Sequence, residues 1–177
     1  PKVEQSAKSH AVEIHKAFEA KPAVVPGAAS AWAVDSTPAD CVRFAVLGRK
    51  EKFDLVISGV NRGLNIGQDI MYSGTCSAAM EAVGLGINAL ALSTEPETFD
   101  DVFAQLDRVW DFITENDLYG KARLWNVNVP LNTTGESRIT RQGGAYYSDE
   151  FVTTGENMVR QQGMMVFRDT KNFDLDT

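Results

Sequence analysis

The segment "FDLVISGVNRGLNIGQDIMYSGTCSAAMEA", residues 53–82, decides the fold. Its opening, "FDLVISG", is apolar on both faces, the pattern of a central parallel strand covered by helices on each side. Its close, "TCSAAMEA", runs on toward Gly84 and Gly86 as a helix of small residues. Between them lies a polar run, from Ser58 to Thr75, too long for an ordinary strand-to-helix turn. Loops of that length inside compact domains are usually functional or disordered.

The same alternation of elements continues on either side. "INALALST" (87–94) reads as the next buried strand, and "RLWNVNVP" (123–130) as a further one. Between these two, Phe99, Val102, Phe103, Leu106, Val109, Trp110 and Ile113 recur at helical spacing, which predicts core residues on one amphipathic helix. Upstream, Thr37-Pro38-Ala39-Asp40 has the chemistry of a helix start: a capping hydroxyl, a proline at the first helical position and an early carboxylate. That helix runs to Gly48. "HAVEIHKAF" (10–18) alternates loosely and reads as a strand. "KPAVVPGAASAWAVDSTP" (21–38) reads as loop with a short strand at 32–34. Strand, helix, strand, helix, strand predicts an α/β fold, a three-layer, mostly parallel open sheet. Beyond Pro130, short β-prone runs between turn residues predict antiparallel hairpins. The expected division is an α/β core over residues 1–131 and a β-rich extension over 132–177, the latter an oligomerisation arm.

Bulk properties narrow the function. A chain of 177 residues with 44% hydrophobic and 23% charged content is that of a globular protein able to bury a core. Net charge of −7 with scattered Lys and Arg argues against broad binding of nucleic-acid polymers, though not against a small anion in a local pocket. No apolar run approaches the roughly 20 residues that span a bilayer, and nothing resembles a signal peptide. Cys41 and Cys76 sit in apolar helical patterns and read as buried free thiols of a reducing compartment, which points to the cytoplasm. The chain starts at Pro1 without a methionine and ends at "NFDLDT" without a helix or strand stop, so further residues are expected at both ends.

In open α/β sheets, ligands bind in loops at the carboxyl ends of strands. The run from Ser58 to Thr75 is such a loop. Asn61 follows the strand at once, and Ser73-Gly74-Thr75 stands where the next helix begins. Free N–H groups at a helix start, with two hydroxyls, suit a phosphate or another anion. The same residues also read more plainly as an N-cap and a turn. The spacing is neither G-x-x-x-x-G-K-[ST] nor G-x-G-x-x-G, and no G-x-S-x-G frame surrounds Ser58.

Taken in order, "STPADCVRFAV", "DLVISGVNRGLNIGQDIMYSGTCSAAMEA", "LWNVNVP" and "ITRQG" resemble successive segments of the SurE (survival protein E) family of metal-dependent nucleotidases. "PKVEQSAKSHAVEIH" is similar to the family segment that carries a metal-ligating serine. The resemblance implies hydrolysis of nucleoside 5′- and 3′-monophosphates with Mg²⁺ or Mn²⁺, and a homodimer or homotetramer built through the extension. It assigns metal contacts to Asn61 and Ser6, and phosphate contacts to Ser73, Gly74 and Thr75, with Asn61, Ser73 and Thr75 forming the catalytic set. A hard cation suits such neutral oxygens, but it usually also needs one or two carboxylates. The resemblance places the family's first strand and its pair of adjacent aspartates before Pro1, in residues expected of the intact protein, and no other adjacent pair replaces them here. Asp100-Asp101 opens an amphipathic helix, where first-turn carboxylates serve the helix itself. Tyr72 stands where some relatives carry His. His10 and His15 are the only histidines, and strand or loop histidines are more often structural than catalytic. The alternative is a SurE-like module that binds a nucleotide or phosphate without cutting it.

Overall fold

The computed structural model describes residues 1–95, 100–131, 133, 135–145, 147–166 and 174–176. The chain divides into two compact units: Pro1–Asn65 with Met71–Ser137, and Ile66–Ile70 with Arg138–Thr177.

In the first unit a short antiparallel ribbon, β1 (Ala20–Ala23) and β2 (Ala31–Val34), precedes helix α1 (Pro38–Arg43). Thr37 caps α1 by accepting the Asp40 N–H at 3.1 Å, with Pro38 in the first turn, as the sequence predicts. The buried Asp40 carboxylate reaches back to the Ser36 hydroxyl and to the Glu13 N–H at 2.9 Å. A π-helical turn continues α1 to Gly48. Strand β3 (Leu55–Arg62) then leads through the polar run to helix α2 (Gly74–Gly84). Strand β4 (Asn88–Thr94), helix α3 (Asp100–Glu115), the short α4 (Leu118–Lys121) and strand β5 (Leu124–Val129) complete the unit. The three strands are parallel in the order β3-β4-β5.

The two faces of this sheet are packed differently. Leu90 and Leu92 of β4 join Val102 and Ile113 of α3, Leu118 of α4 and Val129 of β5 in two apolar clusters. The intervening residues Ala89, Ala91 and Ser93 take the other face by strand alternation. There α2 contributes Ala78, Ala79 and Ala82, all buried. Small side chains on helix and strand let the two backbones approach closely. α1 packs in turn on α2.

The structure departs from the sequence reading in three places. Residues 10–18 form no strand; they are held as a loop by the Thr37 hydroxyl donating to the Ala11 carbonyl (2.7 Å) and by the Asp40 contact to Glu13. Strand β3 lies at the edge of the described sheet, with β4 central, and Ile57 is 57% exposed. On α3, Val102 and Ile113 are buried as expected, whereas Phe103 and Trp110 are exposed on the flank of the helix. Phe99 lies outside the described residues.

The second unit contains the expected antiparallel hairpin, β6 (Tyr147–Gly155) and β7 (Met158–Met165), joined through Asn157 in the left-handed region. Its strand β6 is exposed along both faces except at Val152. Within the same unit, the Asp176 carboxylate accepts the N–H groups of Gly67 (3.2 Å) and Gly143, and Gln142 Nε2 donates to the Gly67 carbonyl at 2.8 Å. The middle of the polar run is therefore bonded to residues some 75 to 109 positions away in sequence.

Candidate functional site

A bulge near the end of β3 aims the first site residue. Ser58 is opposite Ala91 of β4, and Asn61 is opposite Ser93, so three residues of β3 advance against two of β4. Strict alternation from Ser58 would put Val60 on the α2 face. Instead Val60 packs against Leu92, Val102 and Val129 on the α3 face, and Asn61 is turned toward α2. Gly59 makes this possible. Its φ is +143°, and a Cβ there would collide with the Leu92 carbonyl oxygen. A glycine inside a strand pattern is the sequence signal for such a bulge.

The Asn61 carboxamide is fixed at both ends. Its Nδ2 donates to the Gly63 carbonyl at 2.7 Å, and its Oδ1 accepts the Thr75 hydroxyl of α2 at 3.3 Å. A carboxamide oxygen has two acceptor positions, so the Thr75 contact leaves one for a ligand. Ser73 is the N-cap of α2 and accepts the Cys76 N–H at 3.1 Å. Capping uses an oxygen lone pair and leaves the hydroxyl hydrogen to donate. Gly74 is buried because a Cβ would lie 2.9 Å from Pro38 Cγ and 3.2 Å from the Gln5 carbonyl. The N–H groups of Gly74 and Thr75 begin the helix, where no intrahelical acceptor reaches them and the helix dipole is positive. Burial pushes the Cys76 thiol up in pKa against the smaller opposing contact with Ser73, so it stays a neutral packing group.

The structure thus brings Asn61, Gly74 and Thr75 together around the start of α2, with Ser73 holding that start in place. Ser6 stands apart in its contacts: it is exposed, and its hydroxyl donates to Glu4 at 2.9 Å. Its neighbourhood nonetheless runs beside the helix, since Gln5 packs on Gly74 and the Ser9 N–H donates to the Tyr72 carbonyl at 3.0 Å. Tyr72 is exposed. His10 is tied to Glu81 of α2 at 2.7 Å, about 9 Å along the helix axis from Thr75 at 1.5 Å per residue. That contact anchors the N-terminal segment, and His15 is an exposed loop residue.

Sequence reasoning missed the most buried part of the site. Asn65, 5% exposed, donates its N–H to Asn128 Oδ1 (2.8 Å) and its Nδ2 to the Ser93 hydroxyl (2.6 Å). Its carbonyl accepts Nδ2 of Asn126 (2.7 Å) and of Asn128 (3.0 Å). The signal was present in "LWNVNV": two asparagines at a spacing of two, on one face of an otherwise apolar strand.

As ligands, Asn61 Oδ1 and the Ser6 hydroxyl fit a hard cation in kind but are too few to hold one. Among the described residues no three His, Cys, Asp or Glu side chains gather in a group able to bind a metal.

Comparison with known proteins points to one family. A family model described as "Survival protein SurE" matches residues 1–149. A protein of Desulforudis audaxviator named 5′-nucleotidase SurE is 37% identical over 155 residues, covering 84% of this chain and 60% of that protein. One of the same name from Caldanaerobacter subterraneus is 40% identical over 157 residues, covering 85% and 61%. Another from Geobacter metallireducens is 38% identical over 192 residues, covering 98% and 72%. The chain thus spans about six-tenths of the length of the first two relatives. Among solved structures, the SurE protein from Aquifex aeolicus superposes with a TM-score of 0.64 at 28% identity, covering 91% of this chain and 67% of that one.

Proposed function

We propose, from the premise that this chain belongs to the survival protein SurE family, that it forms the phosphate-binding part of a metal-dependent phosphomonoester hydrolase acting on nucleoside 5′- and 3′-monophosphates. The observation that carries the reading is the Asn61–Thr75 contact, which sets a carboxamide oxygen beside the start of α2. There the Gly74 and Thr75 N–H groups and the Ser73 hydroxyl donate to phosphoryl oxygens, and the helix dipole favours their charge. Stabilisation grows as charge develops on those oxygens in the transition state. Asn61 and Ser6 offer neutral oxygens to Mg²⁺ or Mn²⁺, which when bound supplies Lewis-acid neutralisation and an activated water.

The test is phosphate release from nucleoside monophosphates by the full-length protein with Mn²⁺, with and without a chelator. Chelator-sensitive release is expected; its absence ends the reading. A second reading, a module that binds nucleotide without cutting it, is favoured by the lack of a carboxylate cluster among the described residues. Nucleotide binding by calorimetry without phosphate release would select it.

The hairpin supports a homodimer or homotetramer. Two-stranded hairpins are marginal alone in water, and Phe151, Met158, Val159 and Met164 are all exposed here. An apolar arm of this kind is stabilised by a second copy of the chain. Among the described residues no helix is long and apolar enough to cross a membrane, and with the thiols Cys41 and Cys76 free, a cytoplasmic setting is part of the proposal.

A further inference from the structure

We infer that Asn128, acting through Asn65, is a positioning residue for the site, holding Asn61 and the start of α2 in one fixed geometry. The inference rests on the phosphatase reading for its activity arm alone.

The argument starts from register. Asn61, Ser93 and Asn128 lie opposite one another across β3, β4 and β5. Past the end of β3 the chain rises out of the ladder, yet it is not released. The Gly63 N–H donates to the Thr94 carbonyl at 2.7 Å. Two residues on, the Asn128 side chain grips both the N–H and the carbonyl of Asn65. It takes the place a neighbouring strand's peptide would take. Gly63 is thereby fixed between two anchor points, and its carbonyl is the acceptor that orients Asn61 Nδ2. Asn126 extends the same rack toward the helix: its Nδ2 donates to the Asn65 carbonyl, and its Oδ1 accepts the Cys76 thiol of α2 at 3.6 Å. One set of carboxamides, buried at Asn65 and half-buried at Asn126 and Asn128, therefore touches the loop after Asn61 and the first turn after Ser73. Every buried side-chain N and O among the described residues has a partner. Such a network, fully satisfied, specifies one arrangement where apolar packing would permit several.

A purely structural role for Asn128 would predict lost stability and a smaller active fraction, with the remaining sites normal. A positioning role predicts altered sites in folded molecules. The experiment uses Asn128→Leu in the full-length protein, measured well below its unfolding temperature. By NMR, the Asn65 amide should exchange at least about tenfold faster, and the Asn61 side-chain amide resonances should move. KM for a nucleoside monophosphate should rise about fivefold or more, which an unfolded fraction cannot produce. Unchanged Asn61 resonances together with unchanged KM in a folded variant overturn the inference. If the wild-type protein releases no phosphate, the phosphatase reading falls and the NMR measurement alone decides. Should Asn128→Leu fail to fold, Ser93→Ala removes only the acceptor of Asn65 Nδ2 and should move the Asn61 resonances in the same direction by less; no movement overturns the inference equally.

Discussion

Thr75 does two things with one residue: its N–H belongs to the helix start, and its hydroxyl steadies Asn61. Thr75→Val keeps the shape and the N–H and loses only the hydroxyl. Phosphate release should fall about tenfold while the unfolding temperature moves little, because the lost contact is a single neutral hydrogen bond; steady-state kinetics beside a thermal melt checks this. Glu81 is a second informative residue. Burial resists charging its carboxylate, but hydrogen bonds from Arg43 (2.8 Å) and His10 (2.7 Å) outweigh burial and hold its pKa below the ordinary carboxylate value. A depressed folded value means the stabilisation is present above the ordinary range and is lost as pH falls through the lowered one. Unfolding temperatures measured between about pH 5 and 3 should drop less steeply for Glu81→Gln than for the wild type. A parallel pair of curves would remove Glu81 from the acid-sensitive set.

Among elements, β3 is the one whose geometry has most to lose. A Cβ at residue 59 faces both an unfavourable φ and the Leu92 carbonyl, so Gly59→Ala should cost about 2–4 kcal/mol, read as a shift in the denaturant midpoint. The elements themselves were largely legible. α2, β4, α3 and β5 follow from periodicity, and α1 from its cap chemistry, since those signals are local. Residues 10–18 misled because alternation shows that a segment could pair, and among the described residues no partner strand lies beside them. Phe103 and Trp110 misled because helical spacing gives the direction of a stripe but not its width; the sheet covers only the side bearing Val102 and Ile113. The placement of Asn61 at a strand end and of Ser73-Gly74-Thr75 at a helix start was legible because both kinds of boundary have local signals. The Asn65–Asn128 contact joins residues 63 apart, so the asparagine pair in "LWNVNV" marks a polar face but not its partner.

At the scale of the molecule, the hairpin and the α/β sheet make different demands. The sheet buries its own core, whereas the hairpin exposes Phe151 and Met164. Deleting 147–165 from the full-length protein should lower the oligomeric state seen by light scattering while leaving the sheet's cooperative unfolding in place; an unchanged mass would remove the arm from assembly. The sheet, for its part, has an inner ledger of sides: alanine and carboxamide toward α2, leucine and valine toward α3. The bulge that absorbs the extra residue between Ser58 and Asn61 is what keeps Val60 and Asn61 on their respective sides. Taking one amino acid out of that short stretch would leave an unbulged ladder, with Val60 and Asn61 still on the sides they now hold; keeping every residue while forcing regular pairing would exchange front for back, driving a carboxamide into oil and a valine toward the ligand.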